Sequence, residues 1–230
     1  MKHLIVTVGT SAIFNEEIGL VEPNRSNHEL RLLIKDYERS SDKSIAINKN
    51  VLDSLVRAHA QFWAKPAAYK NTKNKRQRRQ TSAELLSTYH LFTHQNAVPE
   101  RVYLLASGTE EGFLAAEVVR QIMISAWGWK RVALESVEKM HQRKAQEALL
   151  VHQNLIDCID KTWNLGNESD VTINFTGGYK GTIPVLTRLA SERGWPLYYQ
   201  HEDNPESQII TFPKGDATKL VEVQLVEPVL

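Results

Sequence analysis

Thr176-Gly177-Gly178-Tyr179-Lys180 is the stretch whose residue types could do chemistry. Two adjacent glycines let the backbone turn with positive φ and let another group come close. They stand between an alternating run, Val171-Thr-Ile-Asn-Phe175, and apolar residues at helical spacing from Ile183 to Leu189. A helix beginning there points unpaired N–H groups and a partial positive charge at the turn, and Lys180 adds a full charge. Two readings of these residues stand side by side. One is an anion cradle, with phosphate its commonest occupant; the other is a tight turn with its lysine in solvent.

Three more turns have polar groups at positions where open α/β sheets bind ligands. Gly9-Thr10-Ser11 follows an apolar run and offers a hydroxyl and N–H groups, for a phosphate or ribose contact or as a helix cap. Ser107-Gly108-Thr109 follows a second such run. His201-Glu202-Asp203 follows a third; three adjacent residues cannot all point inward, so a hydrogen-bonding turn is favoured over a cation site. The standard phosphate loop, the dinucleotide glycine fingerprint and the Gly-x-Ser-x-Gly elbow are absent. No His/Cys cluster has zinc spacing. None of the eight histidines lies four to six residues after an arginine, the spacing of a common helical ribonuclease site.

The elements that must position these turns read as strand and helix in alternation. His3–Val8, Arg101–Ala106, Arg131–Val137, Val171–Phe175 and Trp195–Tyr199 are expected strands, with two short ones at Gln208–Phe212 and Leu220–Val226. Phe113–Trp127, His141–Trp163 and Ile183–Arg193 are expected helices. This predicts an α/β fold: a Rossmann-like, mostly parallel sheet with helices on both faces, its strand-end turns gathered on one edge. Residues 15–98 interrupt the rhythm as a helical insertion after the first strand, with helical spacing at Leu30–Tyr37, Ile45–Trp63 and Ser82–Phe92. Within it Lys70–Arg79 carries six cationic residues in ten, a solvated loop or a basic lid over a polyanion. We expect one domain over 1–230, with 207–230 as short C-terminal strands.

Composition bounds the partners. A net charge of +1 argues against bulk binding of duplex nucleic acid, so basic contacts must be local. A single cysteine, Cys158, excludes an intramolecular disulfide and fits a reducing compartment; its apolar helical context makes it a core residue. No apolar run is long enough to span a bilayer, and the first residues lack signal-peptide architecture. The expectation is a soluble cytoplasmic protein.

Leu4-Ile-Val-Thr-Val-Gly-Thr-Ser11, Ser82-Ala-Glu-Leu-Leu86, Val102-Tyr-Leu-Leu-Ala-Ser-Gly-Thr-Glu-Glu-Gly112, Ile173-Asn-Phe-Thr-Gly-Gly-Tyr-Lys180 and Tyr198-Tyr-Gln-His-Glu-Asp203 occur in this order. Together they resemble the CRISPR-associated Rossmann-fold (CARF) proteins of type III CRISPR systems, over residues 1 to about 215. The resemblance implies a homodimer that binds a cyclic oligoadenylate where two subunits meet. Two-fold symmetry favours an even-membered ring, and a single crevice suits four adenylates better than six. With no effector domain in evidence, the chain is similar to stand-alone ring nucleases, which cut the ring without metal or cofactor by attack of a ribose 2′-OH on its own phosphate. In that picture Ser11 positions the phosphate or the nucleophile, and Lys180 neutralises developing charge. Thr10, Gly177 and Gly178 supply N–H contacts; Gly9, Ser107, Gly108, Thr109, Thr176, Tyr179 and His201 complete the ligand site, His201 as a conceivable base. The alternative is a sensor or sequestering module that leaves the ring uncut.

Overall fold

A computed structural model describes residues 1–14, 49–65, 81–137, 145–168, 170–178, 180–201, 207–211 and 222–226. In chain order these form β1 (His3–Val8), α1 (Ser11–Phe14), α2 (Lys49–Trp63), α3 (Ala83–Gln95), β2 (Arg101–Ser107) and α4 (Glu110–Ser125). Then come β3 (Val132–Val137), α5 (Ala145–Asp157), β4 (Val171–Asn174), α6 (Ile183–Arg193), β5 (Leu197–Gln200), β6 (Ser207–Thr211) and β7 (Glu222–Val226). The strands form one seven-stranded sheet in the order β3-β2-β1-β4-β5-β6-β7. The first five are parallel; β6 and β7 add antiparallel at one edge. This is the expected α/β, Rossmann-like architecture.

Alternation along the strands sorts the core into two layers. On β1, Leu4, Val6 and Val8 face a layer with Val102, Leu104 and Ala106 of β2, closed by residues of α1 to α4. Ile5 faces the other way, with Tyr103, Leu105 and Ile173, under α5 and α6. Every residue of β1 is buried, as a strand covered on both faces must be.

Three helices bear on the site. Ser82 caps α3, its hydroxyl accepting from Leu85 N at 3.1 Å. α2 presents Val51, Leu55, His59, Phe62 and Trp63 inward. His59 is fully buried, its Nε2 bonded to the Ala12 carbonyl at 2.9 Å and its Nδ1 3.3 Å from Thr81 Oγ1, so α2 is fastened to α1. Burial holds that imidazole neutral and pushes its pKa down to about 4. α6 ends at Gly194, left-handed at φ 71°, whose N–H returns to Ala190 and Ser191.

Some boundaries differ from expectation. The long helix ending near Trp163 gives way after Asp157 to a π turn, Cys158–Thr162, closed by Trp163 N to Cys158 O at 2.9 Å. Ile124, in the last turn of α4, is exposed. Cys158 is a core residue, and burial pushes its thiol up to about 12. Leu30–Tyr37, the basic run Lys70–Arg79 and the start of the helix predicted from His141 lie outside the described residues. Among the described residues no helix is long and apolar enough to cross a membrane.

Candidate functional site

The chain builds outward from β1 to β2 and β3 on one side, then returns to lay β4 and β5 on the other. The order therefore reverses between β1 and β4, and open α/β sheets bind ligands beyond the carboxyl ends of such strands. Gly9 and Ser11 leave β1 there; Gly177 and Gly178 leave β4. The two turns touch: a Cβ on Gly9 would stand 3.0 Å from Gly178 N. Gly178 has φ +89°, and a Cβ on it would press on Thr7 Cβ at 2.8 Å, so this position requires glycine on both counts.

A residue from a third segment fills the junction. Glu84, in the first turn of α3, is 1 % exposed. Its Oε1 accepts from Gly9 N at 2.8 Å and its Oε2 accepts from the Ser11 hydroxyl at 2.6 Å. Such short bonds to a carboxylate are the strong kind, and a buried one needs them. A Cβ on Gly177 would overlap this carboxylate. The close approach that Gly177 permits is thus already used by Glu84, from within the protein.

Ser11 is bound on two sides. It donates to Glu84 and accepts from Ala83 N at 3.2 Å, so it caps the neighbouring helix α3 and not its own. A hydroxyl has one hydrogen and two lone pairs, which leaves Ser11 one lone pair. Beneath lies a buried polar network. Asn174 Nδ2 donates to Ser87 Oγ at 2.8 Å and Thr88 Oγ1 at 3.0 Å, and Asn174 Oδ1 accepts from Thr176 N at 3.1 Å. Thr176 Oγ1 accepts from Gln200 N at 3.0 Å. Thr176, expected to face a ligand, is 3 % exposed, and these bonds fix the turn.

The other expected residues are less closely gathered. Lys180 is exposed and stands in a 3₁₀ turn, Lys180–Thr182, just before α6 and not in its first turn as expected. Thr10 is half-buried, its carbonyl accepting from Ile13 N at 3.0 Å. Ser107, Gly108 and Thr109 end β2, outside the switch point. Ser107 and Thr109 hydroxyls bond each other at 3.1 Å, Thr109 caps α4 through Gly112 N, and Gly108 N reaches Val137 O. His201 is exposed beyond β5, edge-on to Tyr199 at 6.4 Å, and Tyr199 stacks on Phe175 at 5.2 Å. Tyr179, Glu202 and Asp203 lie outside the described residues.

Glu84 is the site residue that the sequence reading passed over. In sequence it is an acid in a helix's first turn, where the dipole favours one. The signal was its spacing: Glu84, Ser87 and Thr88 form an i, i+3, i+4 stripe, and in the structure that stripe is buried.

A model of the family described as CRISPR-associated protein (Cas_APE2256) matches residues 79–215. Among curated proteins none matches the chain.

Proposed function

Because the chain belongs to the CRISPR-associated protein family Cas_APE2256, we propose that it acts on the cyclic oligoadenylate signal of type III CRISPR defence. On this reading a homodimer holds the ring, cyclic tetra-adenylate before the six-membered form, over the β1/β4 crevice. It cuts the ring without metal by attack of a ribose 2′-OH on the adjoining phosphate. The observation that carries the reading is the meeting of three distant segments at the switch point: Gly9 and Ser11, the Gly177–Gly178 turn, and Glu84. Exposed Lys180 follows the glycine turn and supplies the cation that a pentavalent phosphate requires. Thr10, Gly108, Tyr179 and His201 remain candidate ligand contacts, Tyr179 lying outside the described residues.

Mixing purified protein with cyclic tetra- and hexa-adenylate, in EDTA, and separating the products by chromatography tests it. The expected product is a linear oligoadenylate ending in a 2′,3′-cyclic phosphate. Ser11→Ala and Lys180→Ala should each slow turnover by about tenfold or more. Tight binding with the ring recovered intact would replace the nuclease by the sensor reading. Failure to bind either ring would remove both.

A further inference from the structure

Ser11, half-buried at the switch point, has its own proton engaged by Glu84 Oε2 at 2.6 Å. Toward a ligand it can then only accept a hydrogen bond. Phosphate oxygens are acceptors as well, and a carboxylate directly behind the hydroxyl repels them. A ribose hydroxyl is the opposite case: it has a proton to give. Among the described residues the carboxylate meets no cation; its partners are the Gly9 N–H and the Ser11 hydroxyl, both neutral. Its helix is held by the Ser82 cap and by Asn174 through Ser87 and Thr88, so it cannot swing away cheaply.

We infer that Glu84 is the general base of ring cleavage and acts through Ser11 as a proton relay. This deepens the proposed function and rests on it. As the 2′ oxygen bonds to phosphorus, its proton passes to Ser11 Oγ while the Ser11 proton passes to Glu84 Oε2. The bond from phosphorus to the 5′ oxygen breaks, and its electron pair leaves with that oxygen, which takes a proton from water. Glu84 then returns its proton to the solvent. Atoms balance: the ring isomerises to a linear chain with a 2′,3′-cyclic phosphate and a 5′-hydroxyl. Ser11 thus meets the nucleophile, and the phosphate is left to the glycine turn and Lys180.

Glu84→Gln keeps the shape and removes the base. It should lower single-turnover kcat by about a hundredfold or more, the range of general base catalysis, with ring affinity within about threefold. The Ser11→Ala/Glu84→Gln double variant should be no slower than the slower single, because the two act as one unit. Wild-type rates should bow against deuterium fraction, as expected for two protons in flight, and become linear in Glu84→Gln. If the wild type cuts the ring and Glu84→Gln matches its kcat, the relay is overturned and the nuclease reading survives. If the wild type cuts neither ring, both fall together. Should Glu84→Gln fail to fold by circular dichroism, Ser11→Ala decides: a rate still bowed in deuterium overturns the relay.

Discussion

Two strand-end turns in this molecule look alike in sequence and differ in what they are built for. Each follows a buried parallel strand, contains hydroxyls and glycines, and leads into a helix: Gly9–Ser11 with the Gly177 turn, and Ser107–Gly112 after β2. At the outer turn the side-chain bonds are local. Ser107, Thr109 and Gly112 satisfy one another within five residues, and a Cβ on Gly112 would overlap the Ser107 hydroxyl. At the switch point the partners come from far along the chain. Glu84 is 75 residues from Gly9 and 73 from Ser11, and it fills the space left by the missing side chain of Gly177. The lesson is physical: a local turn caps its helix from neighbouring residues, whereas a buried carboxylate must be held by donors that the fold brings to it.

That contrast breaks most sharply at the two glycines. Gly177→Ala should cost at least about 2 kcal/mol of stability, because the methyl overlaps a carboxylate with no room to move, and should abolish ring turnover. Gly112→Ala should cost stability of the same order, while the folded fraction turns over within about twofold of wild type. Thermal melts paired with turnover measure both. A Gly177→Ala protein with normal turnover would show that Glu84 has no need of that space.

A second difference lies in acid. The switch-point loop rests on His59, which bonds the Ala12 carbonyl next to Ser11, whereas the outer turn's side-chain bonds run among Ser107, Thr109 and Gly112. With a folded pKa near 4 and an ordinary value of 6.5, His59 takes up its proton in the unfolded chain first as pH falls. Its contribution is complete above about pH 6.5 and is lost progressively down to about 4, roughly 3 kcal/mol in all. Urea midpoints at several pH values should fall across that window in the wild type and fall less in His59→Gln. Parallel curves would exclude His59 as the cause. The smallest effect belongs to the outer cap: Thr109→Ala should cost about 1 kcal/mol, with turnover unchanged in the folded protein.

The alternating strands, the helices between them and the turn glycines were legible because each depends on neighbours in the chain. β1 reads as a doubly covered strand from His3–Val8 alone, and Gly178 announces a turn that its φ of +89° requires. Boundaries such as the π turn at Cys158, which leads into buried Trp163, were not legible, since helical spacing alone does not distinguish a π turn from the α-helix it continues. Nor was the engagement of the Ser107 and Thr109 hydroxyls with each other and with Gly112 N, residues that read in sequence as ligand contacts.

The sequence by itself determined the layered α/β sheet and the edge on which its turns gather, because periodicity and chain connection suffice for that. Only the tertiary structure decided that Glu84 lies between Gly9, Ser11 and Gly177. Nothing local distinguishes it from any acid in a helix's first turn. Its meaning depends on which strands meet at the switch point, a relation between segments that are remote in the chain.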